Sequence, residues 1–317
     1  MTYQDDAEAV KLLVEKVAPK GKLLRTWPLE GGISAQMTAF EVENAHGQNQ
    51  KMILRHPAAA TVRRNPYAAR DEFKLLEMAR TLGLDVPAPL YLEQADDPSP
   101  ASFLVIEYIE GQIVFSPPDI ENYIFQLARN LAQIHKVDCA ALDLSFLEEG
   151  ILEFADALGE RPEIMDESLD EERIRDTLEV VWPIPQRNES TLLHGDYWPG
   201  NIIWQDDQLA AVIDWEDAEC GDPLKDLAIS RLDLLWIFGK DAMMIFTDHY
   251  QSMTTFDFSS LPYWDLCAAL RFIRMAGPQI ADWAAFFAPY GRDDITEESI
   301  REHVRFFIRQ AFEKLDL

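Results

Sequence analysis

TLLHGDYWPGNIIWQDDQLAAVIDWEDAECGDPLKDLA, residues 191–228, interrupts a chain that otherwise reads as helix from about residue 111 onward. Two short apolar runs, NIIW (201–204) and LAAVIDW (209–215), flank the polar QDDQ (205–208), the pattern of a β-hairpin turning at Asp206 and Asp207. With a two-residue loop Asn201 pairs with Val212, so Asn201 and Asp214 become diagonal neighbours with backbones about 7–8 Å apart. Their side-chain oxygens are hard ligands of the kind Mg²⁺ takes when its remaining ligands are waters and phosphates. Asp196 lies on the loop entering the hairpin, where a carboxylate can orient an incoming hydroxyl and accept its proton without holding the metal. Taken singly, each of these residues reads equally well as a turn or cap residue. Their order and spacing together carry the chemistry.

Outward from this segment the chain divides by periodicity. Before it, LLRTWPLEGGIS, TAFEVEN, KMILRHP, APLYLEQ and ASFLVIEYI read as strands separated by turns. One helix is expected among them: Asn65 caps it, Pro66 suits its first turn, Phe73, Leu76, Ala79 and Leu82 fall near helical spacing, and Gly83 ends it. From Ile120 the period changes, with Ile124, Leu127, Leu131 and Ile134 on one helical face. Residues 145–185 are acidic and weakly periodic and predict short surface helices, and windows such as YWDLCAALRFIRMAG and REHVRFFIRQAFEKL predict helices to the end. The expectation is an α+β chain, with a small antiparallel-sheet N-lobe over residues 1–110 and a larger, mainly helical C-lobe over 111–317.

HGDYWPGN, then IDWED, then GDPLKDLA, in that order, resembles the aminoglycoside phosphotransferase and choline kinase family, whose fold is similar to that of protein kinases. The resemblance implies a bilobal kinase-like fold and transfer of the γ-phosphoryl group of ATP or GTP to a hydroxyl of a small acceptor. It casts Asp196 as the catalytic aspartate, Asn201 and Asp214 as the Mg²⁺ ligands, and His194 as a brace for the catalytic loop. Gly31, Gly32 and Ser34 in LEGGIS look like a shortened phosphate-covering loop. Arg55 stands where protein kinases place a lysine, with Lys51 as the nearby alternative; a guanidinium keeps the charge and adds a bidentate fork. Glu72 is the expected partner that aims Arg55, in competition with Asp71 and Glu77. Glu107 to Ile109 fall where kinase-like proteins contact the adenine edge through backbone groups.

Some positions keep two readings. Trp198 either packs or lines the acceptor site, whereas Trp215 reads as core. Glu216 could face the acceptor, as could Asp217 and Glu219, or all three could be solvated loop carboxylates. Asp222 and Asp226 are expected to cap the following helix and anchor the loop, and His135 reads as a structural histidine at a helix end. A kinase-like module that binds nucleotide without turnover is the alternative to an enzyme. A protein kinase is disfavoured, because no DFG or APE landmark follows Asp214.

Composition narrows the partners. The 28 basic and 56 acidic residues leave a formal charge of −28, which repels nucleic acid and anionic membrane; it suits a cationic acceptor or simply keeps the surface soluble. The N-terminal residues show no signal-peptide core and no run is long enough to cross a bilayer, so a cytoplasmic protein is expected. Cys139, Cys220 and Cys267 lie far apart and match no metal or redox spacing, so three packed thiols are expected.

Overall fold

Alternating apolar positions from Lys22 onward build a five-stranded antiparallel sheet in the computed structural model, which describes residues 10–11, 13–29, 35–93, 102–149, 158–159 and 161–316. Strands β1 (Lys22–Pro28), β2 (Ala35–Glu43), β3 (Asn49–Pro57), β4 (Pro89–Glu93) and β5 (Phe103–Glu107) take the order β1-β2-β3-β5-β4. Successive residues of a strand face opposite sides. On one side Phe40, Val42, Met52, Leu54 and Val105 pack with Val10, Leu13 and Val14. Arg55 follows Leu54 and so faces the other side, yet it is buried as well. Cover there comes from α2 (Ala68–Thr81), which follows a short α1 (Ala59–Arg64).

The helix expected from Asn65 begins three residues later than its cap signal. Asn65 instead closes α1, accepts a hydrogen bond from the Tyr67 amide (2.8 Å) and donates to Asp71 (2.9 Å). An Asx turn has taken the side chain that a cap would have used. Gly83, at φ +79°, ends the helix as expected. Residues up to Glu110 together with Ala211–Glu216 form one compact unit, and Gly111–Ala210 with Asp217–Leu317 form another.

The second unit opens on α3 (Ile120–Ile134), which buries Ile124, Leu127, Leu131 and Ile134; the Asp119 side chain caps it by accepting from the Asn122 amide. Short strands β6 (Glu148–Glu149), β7 (Thr191–Leu193) and β10 (Glu219–Gly221) form a sheet with β10 in the middle, and α4 (Glu171–Val181) lies between the first two in sequence. Strands β8 (Ile202–Gln205) and β9 (Gln208–Val212) form the expected hairpin. Its turn residues Asp206 and Asp207 both have positive φ, as a tight two-residue turn requires. Helices α5 (Leu224–Phe238), α6 (Lys240–Met253), α7 (Leu261–Ala276), α8 (Ile280–Phe286) and α9 (Glu297–Lys314) complete the unit. Thirteen of the fifteen residues of α5 are buried, which makes it the central helix. No helix among the described residues is long and apolar enough to cross a membrane.

One expectation is overturned here. Cys139 and Cys220 are joined in a disulfide, with Cα atoms 6.1 Å apart; only Cys267 is a free, buried thiol. The pair was invisible in sequence because 81 residues separate the two positions, and β7 brings them together. Cys220 pairs with Leu192 of β7, and the Cys139 amide bonds the Ser190 carbonyl just before that strand.

Candidate active site

In the first unit three predicted carboxylates converge on the guanidinium of Arg55. Arg55 Nε donates to Glu72 Oε2 (3.0 Å), and its Nη2 donates to Asp214 Oδ1 (2.8 Å) and Glu216 Oε2 (3.4 Å). A buried guanidinium needs such partners, since desolvation is otherwise prohibitive. Burial alone would depress its pKa, but the charges of Glu72, Asp214 and Glu216 outweigh that and raise it. Burial pushes the Glu72 carboxyl up, Arg55 pulls it down, and Asp214 adds to the rise. Competition for Arg55 is settled by position: Asp71 is held by Asn65 and Arg70, and Glu77 is exposed. Lys51, the alternative cation, lies against Glu110 (2.5 Å) and over the Tyr108 ring instead.

Asp214 sits at φ +65°, a left-handed conformation that few residues other than glycine adopt. Such strain persists where surrounding structure imposes it, and it turns this carboxylate toward Arg55. Glu216, read from sequence as a possible acceptor contact, also has its carboxylate on Arg55. Trp215 is buried and donates its indole N–H to the Val212 carbonyl, the packing role expected. Glu107 bonds Ala88 through its own amide and through its carboxylate, and Ile109 follows in irregular chain, half-buried. Gly31, Gly32 and Ser34 lie outside the described residues.

In the second unit β7 runs directly into His194, Gly195 and Asp196. His194 is buried, and its Nδ1 accepts from the Asp196 amide (3.3 Å). Asp226, in the first turn of α5, accepts from the amides of His194 (2.6 Å) and Gly195 (3.0 Å) and from His135 Nε2 (3.3 Å), while His135 Nδ1 meets the Tyr250 hydroxyl. Burial works against the Asp226 charge, but His135 and these amides hold its pKa below the ordinary value. Asp226 is thus the loop anchor expected, while Asp222 caps α5 through the Leu224 amide.

Both oxygens of the Asp196 carboxylate are oriented. Oδ1 accepts from Arg271 Nη2 (3.2 Å), and Oδ2 accepts from Asn201 Nδ2 (3.1 Å), which also donates to the Asp196 carbonyl. With Nδ2 turned this way, the Asn201 carbonyl oxygen is the atom suited to a hard cation. Burial pushes the Asp196 carboxyl up, while Arg271 and His194 act against it. Asp233 of α5 is pushed up to about 7 by burial and by the Asp196 charge. Trp198 stacks on Phe115 and reaches Phe286, which together with Tyr290 makes an aromatic wall beside the loop.

Gly195 is the backbone hinge of this loop. It has φ +83°, and a Cβ placed on it runs into the Asp217 carbonyl. Gly195→Ala is expected to cost about 2 kcal/mol or more in thermal or urea unfolding, from the left-handed strain and this clash together. An unchanged melting curve would show that the loop relaxes freely.

The order of these groups is decisive once set against known proteins: residues 27–261 match the model of the phosphotransferase enzyme family. This chain belongs to that family. Its fold is the α+β, kinase-like fold of the aminoglycoside phosphotransferases: it matches a putative aminoglycoside phosphotransferase from Ralstonia eutropha JMP134 with a TM-score of 0.63 and 16% identity over 98% of each chain. It also matches the GDP and kanamycin complex of APH(2")-IIIa, with a TM-score of 0.64 and 16% identity over 97% of this chain and 98% of that one. Among curated proteins it is similar to mouse (Mus musculus) acyl-CoA dehydrogenase family member 10, 27% identical over 207 residues. That match covers 58% of this chain and 18% of the relative's length.

Sequence reasoning missed Arg271 and Asp233. Neither lies in a motif: both sit inside apolar helical windows, and only the packing of α5 and α7 brings them beside Asp196.

Proposed function

We propose that this phosphotransferase moves the γ-phosphoryl group of ATP or GTP to a hydroxyl of a small acceptor, with Asp196 positioning the hydroxyl and accepting its proton. The observation that carries this reading is the two-sided grip on Asp196: Arg271 and Asn201 each hold one oxygen, which fixes the carboxylate plane. Family membership supports a kinase-type phosphotransferase acting on small molecules.

Asn201 and Asp214 are the residues that would hold Mg²⁺, as their places either side of a two-residue hairpin turn suggest. Their donor atoms fit a hard cation that also binds phosphate oxygens. When bound, Mg²⁺ neutralises charge on the phosphates. Arg55, aimed by Glu72, steadies those phosphates, and Asp226 keeps the His194–Asp196 backbone in place. Residues 1–110 form the nucleotide-covering lobe in this reading, with Gly31, Gly32 and Ser34 over the phosphates and the Glu107–Ile109 backbone against the base. The cytoplasm supplies the nucleotide.

The aromatic wall bears on the acceptor. Phe286 and Tyr290 are exposed, with Phe286 against Trp198, while Asp196 is paired with Arg271 and has the carboxylates of Asp217 and Asp233 near it. The exposed rings favour a hydroxylated acceptor with an apolar face. The test is a panel of hydroxylated metabolites, apolar alcohols and aminoglycosides with Mg²⁺ and ATP or GTP, reading nucleoside diphosphate release and phosphorylated product. Turnover is expected with an uncharged or apolar alcohol. Nucleotide binding without product from any class would instead favour a regulatory module.

Asp214→Ala is expected to erase the preference for MgATP over metal-free ATP in calorimetry and to lower the melting temperature by several degrees without unfolding the chain, because Glu72 and Glu216 still partner the buried Arg55. Equal MgATP affinity in variant and wild type would remove Asp214 from the metal site.

A further inference from the structure

We propose that Cys139 and Cys220 form a reversible thiol–disulfide modification site that sets the rigidity of the catalytic loop. The position of the bond suggests this. Cys139 follows α3, whose last turn leads to His135, and Cys220 is the middle residue of the central strand β10. Between them runs β7: Asp138 bridges to Thr191, the Leu192 amide bonds the Val137 carbonyl, and Cys220 pairs with Leu192. β7 continues without a break into His194, Gly195 and Asp196. β10 continues into Asp222 and then Asp226, the carboxylate that accepts from the amides of His194 and Gly195. One covalent bond therefore joins the segment after α3 to the strand that leads to the anchor, and β7, which delivers the loop, is hydrogen-bonded between them.

The chemistry selects this pair. Both cysteines are half-buried, whereas Cys267 is buried and its thiol is pushed well up by burial. Thiolate is the form that exchanges, so Cys267 does not compete. In the reducing direction a low-molecular-weight thiolate such as glutathione attacks one sulfur, forms a mixed disulfide and releases the other cysteine as a thiolate, which takes a proton. A second thiolate then attacks the mixed disulfide and frees the first cysteine. Two molecules of small thiol become one disulfide, and the protein gains two thiols; oxidised glutathione runs the exchange backward. A disulfide in a compartment kept reducing is a transient, redox-responsive one. Reduction leaves β7 and β10 held by a few strand hydrogen bonds and by the packing of Leu192 and Leu193, and local opening then takes in the loop.

The test is hydrogen–deuterium exchange on the full chain, comparing protein equilibrated with oxidised glutathione and protein held in reductant, with alkylation to count free thiols. This readout needs no acceptor and stands whether or not phosphoryl transfer is found. Peptides covering residues 191–201 and 219–228 are expected to exchange about tenfold faster after reduction and to recover on reoxidation, while α9 stays unchanged. Cys139→Ser and, separately, Cys220→Ser should exchange like the reduced protein under both conditions, and Cys267→Ala should keep the response. Two thiols that stay free in oxidised glutathione, or equal loop exchange in both states, overturn the proposal. If a serine variant fails to fold, the wild-type comparison decides alone.

Discussion

Asp196→Asn is expected to lower phosphoryl transfer about a thousandfold while leaving nucleotide affinity in place. The substitution is isosteric and keeps one acceptor oxygen, for Arg271 or for Asn201 but not both, so one of the two bonds on this side chain goes with the charge. What it loses is the group that takes the hydroxyl proton. Because Arg271 fixes Oδ1 and Asn201 fixes Oδ2, the carboxylate has one orientation, and its contribution is positional as well as chemical. The check is transfer of labelled γ-phosphoryl to whichever acceptor the panel identifies, alongside calorimetry with MgATP. A variant that keeps more than about a tenth of wild-type turnover would mean that Asp196 is not the base.

Asp226→Asn should have the largest effect on stability, about 3 kcal/mol in urea unfolding at neutral pH. Asp226 is fully buried and accepts from two loop amides and from His135. Removing its charge weakens the bonds to His135 and to the two loop amides at once. The pH dependence follows from the direction of the shift. The folded pKa of Asp226 lies below its ordinary value, so its stabilisation is fully present above about pH 4. It is lost as pH falls through the lower folded value. The gap between variant and wild type should therefore be full at pH 7 and narrow as pH falls below 4. A gap of constant size down to pH 3 would show that the charge contributes nothing.

How much of this was legible in sequence depends on how local each signal was. The hairpin was readable because apolar runs flank Asp206 and Asp207, and α3 because Ile124, Leu127, Leu131 and Ile134 share a face. The contact of Arg55 with Glu72 was expected from their places in the chain, whereas those with Asp214 and Glu216 were not. Asn65 misled because one side chain can serve either a cap or an Asx turn, and the choice was made by a preceding helix that apolar periodicity did not mark. The disulfide, Arg271 and Asp233 could not be read, since each depends on segments brought together only by the packed second unit. Spacing arguments see neighbours along the chain; these are neighbours across it.

The most direct measurement of the central claim is a crystal structure of the protein with Mg²⁺ and a non-hydrolysable ATP or GTP analogue. The account predicts a cation bound by the side-chain oxygens of Asn201 and Asp214, in contact with the phosphates, with the Asp196 carboxylate near the γ-phosphate and free of the metal. A cation bound elsewhere, or Asp196 turned away from the γ-phosphate, would contradict it.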